Sequence, residues 1–264
     1  MARIIGIVSG KGGVGKTTLT INLGAAFSYF FAKKVTVIDC NITTSHLGLY
    51  LGMYYCPITL NKVLRGEANI QEATYDHFSG MRVVPASLSV SELEGVDITL
   101  LRDSIKPIEA INDIILLDSS PGLGRESMGC LKACSEVLYI AEPYVPSIID
   151  IVKYQEVANE LNLKQIGIVL NSVYNAKYEM NKKEVEELTK LPVLASIPYD
   201  KNVKKANALK TPVIILNKSS PASKEILKLA ALLIGEKLKS ENSFTIFLNH
   251  LKNFLHIRKK LSSI

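Results

Sequence analysis

Tryptophan is absent from the 264 residues, and aromatic residues make up only 7%. The four cysteines, Cys40, Cys56, Cys130 and Cys134, include no C-x-x-C pair and do not form a disulfide framework. Cys130 and Cys134 stand one helical turn apart and read as small packing residues rather than a metal site. No apolar run approaches the roughly 18 residues that a bilayer-spanning helix needs. The chain enters a strand pattern at once, without a basic n-region, apolar segment and small-residue cleavage site, so a cytoplasmic protein is expected. Internal repeats and low-complexity linkers are also missing. Acidic residues are absent beyond Asn242, where Lys252, Arg258, Lys259 and Lys260 carry four charges of the net +6. That imbalance suggests a local anionic partner, not a basic body that coats nucleic acid.

What is present is globular: 47% hydrophobic and 21% charged residues, enough for one large α/β domain. The strand pattern Ile4-Ile5-Gly6-Ile7-Val8 runs into Gly10 to Thr18, which read GKGGVGKTT. An apolar-periodic helix pattern follows through Leu19, Ile21, Leu23, Ala26 and Phe27. Gly10, Gly15, Lys16 and Thr17 fill G-x-x-x-x-G-K-T between strand and helix. Glycine-rich backbone lets successive N–H groups converge on phosphate oxygens, and the helix aims its positive end at the same place. Lys16 is expected to neutralise β/γ-phosphate charge and the Thr17 hydroxyl to ligate Mg²⁺. An ordinary glycine turn would not need this full set.

Lys11 completes K-G-G-V-G-K-T-T, which resembles the deviant P-loop of the MinD/ParA family of ATPases, in an archaeal-looking subgroup. In that family the additional lysine reaches the partner's nucleotide across a dimer interface. The resemblance covers about residues 2 to 238 and implies ATP and Mg²⁺ as cofactors and an ATP-dependent homodimer. The missing C-x-x-C sets the chain apart from iron–sulfur relatives such as the nitrogenase iron protein.

Three further stretches carry the resemblance. Lys34 to Asp39 reads as a buried strand ending in a carboxylate, where an open parallel sheet places its chemistry. Cys40 to Gly52 then resembles switch I, in which D-x-D is usual. Asp39 matches the first aspartate, but Asn41 occupies the second, which helps orient the attacking water; an amide accepts a hydrogen bond but takes no proton, so slow hydrolysis is expected. Asp113 to Asp118 reads as a central strand. Asp118 matches the Walker B carboxylate that holds Mg²⁺ through water, and Ser119-Ser120-Pro121-Gly122 resembles switch II, with the Gly122 N–H sensing the γ-phosphate. Asn171, directly after a strand from Gln165 to Leu170, matches the adenine-pairing position, and Ile197 to Asp200 resembles the loop lining the adenine pocket, with Pro198 as the contact. By this resemblance Gly10, Lys11, Gly12, Gly13, Val14, Gly15, Lys16, Thr17 and Thr18 bind the phosphates, and Lys11, Lys16, Asp39 and Asn41 serve hydrolysis.

Between these motifs, Thr59 to Leu64 is helix-like and ends near Gly66. Met81 to Ala86 is strand-like, and Ile98 to Ile111 is helical with an interruption at Pro107. Strand Val137 to Ala141, helix Ser147 to Leu161, a strand and turn over Leu194 to Asp200, and helices Asn202 to Leu209 and Ser220 to Leu238 complete the alternation. The expected fold is a doubly wound α/β P-loop domain with a mainly parallel sheet flanked by helices, over residues 1–239.

Residues 240–264 form a separate tail with a C-terminal amphipathic helix pattern. Phe244, Phe247, Leu248, Leu251, Phe254 and Leu255 recur at three- and four-residue steps, while Lys252, Arg258, Lys259 and Lys260 supply cations. This composition suits a helix lying on anionic lipid, and the segment stands where MinD proteins carry their membrane-targeting sequence. A helix packed on its own domain has the same periodicity. The expected activity is a slow, partner-stimulated ATPase that positions a division site or a membrane-associated machine. A ParA-like DNA partition ATPase, a flagellar-number regulator of the FlhG type, and an ATP-dependent amidotransferase or synthetase are the alternatives. No extra catalytic module supports the last, and the tail argues against nucleic acid.

Overall fold

The computed structural model describes residues 2–236. Its centre is an eight-stranded sheet in the order β3-β4-β2-β5-β1-β6-β7-β8, confirming the mainly parallel α/β architecture. The strands are β1 (Arg3–Val8), β2 (Val35–Asp39), β3 (Tyr75–Asp76), β4 (Arg82–Val84), β5 (Ile114–Asp118), β6 (Glu136–Ala141), β7 (Lys164–Val173) and β8 (Val193–Pro198). Among the described residues only β3 runs antiparallel to its neighbour. The longer helices are α1 (Lys16–Ala25), α4 (Leu101–Glu109), α5 (Arg125–Ala133), α6 (Val145–Glu160), α7 (Lys182–Thr189), α8 (Lys201–Ala208) and α10 (Pro221–Ile234). Single-turn helices are α2 (Leu47–Tyr50), α3 (Leu60–Leu64) and α9 (Val213–Leu216).

The central strands are apolar on both sides because both faces are covered. Ile4, Val8, Ile38, Ile115, Leu117 and Tyr139 join one core layer, with residues of α3 to α7. Ile5, Ile7, Val37, Leu116, Leu138 and Ile140 join the other, with α1 and α8 to α10. The alternation of partners along each strand follows its two-residue side-chain period. At the centre, β1 pairs with β5 on one side and β6 on the other. Chain direction diverges there, opening a crevice beyond the carboxyl ends of the strands.

Four local expectations change. Pro107 lies inside α4 and does not interrupt it. Leu101, Ile105 and Ile108 are buried and fasten that helix to the core, while Pro107 faces outward in its last turn. The strand before Asn171 does not stop at Leu170: β7 continues to Val173, which pairs with Pro198 after a register shift. Asn171 and Ser172 sit in that irregularity, a bulge of the kind that re-aims side chains beside a site. Helix α10 ends at Ile234, where Gly235 (φ 69°) donates its N–H to Ala231 and Leu232, so the expected helix stops short; the rest of its expected span, to Leu238, lies outside the described residues. Helix α7 was not anticipated, although Asn181 and Glu184 form a capping box that marks its start. The boundary at 239/240 and the amphipathic tail lie outside the described residues.

His77, beside β3, is buried; its Nδ1 lies 2.8 Å from the Ser79 hydroxyl, while Nε2 has no hydrogen-bond partner. Burial pushes its pKa from 6.5 down to about 4. The unfolded chain therefore takes up this proton first as pH falls, so neutral His77 contributes stability that is complete above about pH 6.5 and lost toward pH 4. Thermal melts from pH 7 to about pH 4.5 should show a smaller loss for His77→Asn than for the unaltered chain; equal losses would contradict this assignment.

Candidate functional site

The loop from Gly10 to Gly15 leaves β1 and turns directly into α1, so the first turn of that helix opens onto the crevice. Gly15, with φ 98°, forms the N-cap. An added Cβ there would lie 2.4 Å from Asn171 Nδ2, so both conformation and contact require glycine. None of the backbone N–H groups from Gly12 to Thr18 donates to another backbone carbonyl among the described residues. They form a concentrated set of donors at a helix N-terminus, suited to phosphate. Lys16 is buried with its Nζ 2.8 Å from the Ser9 hydroxyl; burial lowers its pKa, and Asp118 opposes that shift.

Asp39 and Asp118 end adjacent strands and face one another in the parallel register. Burial, then the charge of Asp118, pushes Asp39 up to about 7. Burial also pushes Asp118 up to about 6, against hydrogen bonding by Thr17 and the charge of Lys16. The Thr17 hydroxyl donates to Asp118 Oδ2 at 2.6 Å, and Thr20 donates to Oδ1 at 3.2 Å. A threonine hydroxyl, an under-compensated carboxylate and a phosphate cradle suit Mg²⁺, which commonly takes one or two carboxylates with phosphate and water. No group of three or more His, Cys, Asp or Glu side chains stands ready for a metal among the described residues. The donor set therefore fits a metal carried in with nucleotide better than an all-protein cage.

Asp39 itself organises the loop from Asn41 to Leu47. Its carboxylate accepts from Asn41 N, Ser45 Oγ and Leu47 N at 3.1, 2.7 and 3.3 Å. Asn41 lines the crevice, but its amide donates to Thr44 O at 2.7 Å and accepts from the Thr44 hydroxyl. Thr43 donates through both N–H and hydroxyl to Glu126 in the first turn of α5, linking the loop after Asp39 to the helix that follows the Asp118 loop. Gly122 donates its N–H to Ser9 O at 3.1 Å, while its carbonyl accepts from Ser127 and Tyr154.

A crevice of about 580 Å³ unites Gly12, Gly13, Gly15, Lys16, Thr17, Thr18, Asn41, Asn171 and Pro198. Gly10, Val14, Asp39, Asp118 and Gly122 support its walls without lining it, and Lys11 is exposed. Asn171 donates to Val14 O at 2.7 Å, so part of its amide already braces the loop. At the other end, Tyr199 stacks on Tyr174 with centroids 4.9 Å apart, and Lys204 lies 5.5 Å from the Tyr199 ring. Sequence reading missed Ser9, Thr20, Ser45, His46, Glu126, Tyr199 and Lys204. Thr20 was the most accessible of these, since it lies one helical turn beyond Thr17.

A family model for the CobQ/CobB/MinD/ParA nucleotide-binding domain matches residues 5–213. The chain belongs to this family. It is 35% identical over 241 residues, 91% of each chain, to an uncharacterized ATP-binding protein of Methanocaldococcus jannaschii. The structure superposes on the cell division ATPase MinD of Pyrococcus furiosus with a TM-score of 0.86 and 32% identity, covering 89% of this chain and 99% of that one. It also matches the septum site-determining protein MinD of Pyrococcus horikoshii complexed with Mg-ADP. That TM-score is 0.85 at 29% identity, with 88% and 96% coverage. The resemblance carried by the P-loop and switch motifs is thus confirmed at the level of family and fold.

The backbone at Gly10 offers a direct test of the phosphate cradle. An added Cβ would fall 2.0 Å from Asp150 Cβ on α6, an atom that no rotamer change can move away. Gly10→Ala must displace the loop from α6, and nucleotide titration should show about a hundredfold loss of affinity or more, comparable to other losses of positioned donors. Affinity within about twofold would show that the loop position does not matter for binding.

Proposed function

We propose that this chain is a MinD-like ATPase, dimeric with ATP, that attaches to an anionic membrane surface and is released by hydrolysis. The observation that carries the nucleotide chemistry is the meeting of an open N–H cradle with Lys16 and two under-compensated carboxylates. Lys16 and the loop N–H groups would grip phosphate, and Thr17 with Asp118 would hold Mg²⁺, which supplies charge neutralisation between phosphate oxygens. Exposed Lys11 is free to reach a second copy across the crevice mouth. Asn171, Pro198 and Tyr199 would enclose adenine, through amide bonding and ring contact. Asn41 is engaged with Thr44, which supports slow turnover that an activating protein partner accelerates.

No helix among the described residues is long and apolar enough to cross a membrane. Attachment would be peripheral, from the cytoplasmic side, through Phe244, Phe247, Leu248, Leu251, Phe254 and Leu255, with Lys252, Arg258, Lys259 and Lys260 on headgroups. Each basic residue near anionic lipid adds about 1 kcal/mol, so a single tail binds weakly, and pairing two tails on one dimer gives avidity without new contacts. ATP-driven dimerisation thereby becomes ATP-driven attachment. Its output would be spatial: positioning a division site or another membrane-associated machine. Co-sedimentation with anionic vesicles should show pelleting of the full chain with ATP but not with ADP, lost when the chain is truncated after Lys239. Equal pelleting with both nucleotides, or none, would reject the switch; ATP-dependent, salt-sensitive DNA binding would favour the ParA-like alternative.

A further inference from the structure

Switch I projects a histidine into the crevice, and the hydrolytic reading has no role for it. Asp39 accepts from Ser45 Oγ and Leu47 N, the residues on either side of His46. Ser45 and Leu47 are buried, whereas His46 is exposed and lines the same crevice as Lys16, Thr17, Asn41 and Thr44. One buried carboxylate therefore anchors the loop on both sides of His46 while its side chain faces the nucleotide space. Its ring stacks on Tyr50 at 6.4 Å between centroids and 25° between planes.

The other polar side chains along this wall are committed. Asn41 and Thr44 bond each other, and Ser45 bonds Asp39. Neither ring nitrogen of His46 has a hydrogen-bond partner among the described residues. Lys16, by contrast, enters from the P-loop, where Ser9 steadies it. A phosphoryl group between these walls would meet Lys16 on one side and the unclaimed imidazole on the other.

We propose that His46 is a phosphate-contacting residue, whose ring N–H donates to a γ-phosphate oxygen of bound ATP. This rests on the ATPase reading above and adds a donor that family membership does not assign. During hydrolysis the water oxygen bonds to the γ-phosphorus, and the bridge to the β-phosphate breaks with its electron pair leaving on ADP. The water proton passes to the product phosphate or solvent. His46 donates a hydrogen bond throughout and is not consumed. Because charge spreads over the equatorial phosphoryl oxygens, a donor aimed there is worth more as transfer proceeds than in the ground state.

The test compares ATP turnover and ADP affinity of the full chain with those of His46→Ala and His46→Gln. The ring carries none of the hydrogen bonds that hold the loop, so the alanine variant should fold, and unchanged ADP affinity will report that. His46→Ala should lower kcat about tenfold or more while ADP affinity stays within about twofold, and His46→Gln, which restores an N–H, should recover part of the loss. Normal turnover by His46→Ala, or equal losses in both variants, would overturn the assignment while leaving the ATPase reading intact. Absence of turnover in the unaltered chain would instead remove the hydrolytic reading and this proposal with it.

Discussion

Two carboxylates buried side by side organise this molecule. Asp39 and Asp118 close neighbouring strands in register, in a region where water cannot solvate them. Like charges in such a place disfavour each other's ionisation, and burial disfavours both. The local sequence answers with hydroxyl and backbone donors: Thr17 and Thr20 for Asp118, and Ser45, Asn41 N and Leu47 N for Asp39. Lys16 supplies the nearby cation, itself partly desolvated. The compensation remains incomplete, since both carboxylates stay above the ordinary aspartate range. A divalent cation delivered with phosphate would supply the missing charge.

This arrangement gives the proposed switching a physical route. Asp118 is fastened to α1, while Asp39 is fastened to the loop from Asn41 to Leu47. That loop is joined to α5 through Thr43 and Glu126. Gly122 is tied to the P-loop strand through Ser9 O, and its carbonyl to α6 through Tyr154. A change of charge at the carboxylate pair thus bears on both loops through a short chain of hydrogen bonds. Under the function proposed above, that chain of bonds would let bound nucleotide bear on dimerisation and, through it, on membrane attachment.

The nucleotide chemistry was legible because it concentrates in contiguous residues. Gly10 to Thr18 must follow a strand and open a helix to work at all, and each glycine or charge has a local reason. The apolar runs ending in Asp39 and Asp118 were equally readable, since strands buried on both faces have a plain signature. What escaped was set by partners distant in sequence. Asn171 was placed after a strand because Leu170 closes the apolar run, yet pairing of Val173 with Pro198 carries β7 onward. Pro107 looked like a break because a proline removes an amide donor, but three buried apolar residues outweigh that loss at an exposed last turn. His46 gave no signal by itself: only the fold shows that Asp39 holds both its neighbours and leaves it facing the crevice.

The most direct measurement is thermal melting of the full chain with ATP and Mg²⁺, against the same ATP concentration with excess chelator. If the buried carboxylates await a cation held beside phosphate, the melting temperature should rise strongly only when both are present, since a ligand that binds the folded state alone stabilises it by mass action. An equal rise with ATP and chelator would contradict the account, because the carboxylate pair would then take no part in nucleotide binding.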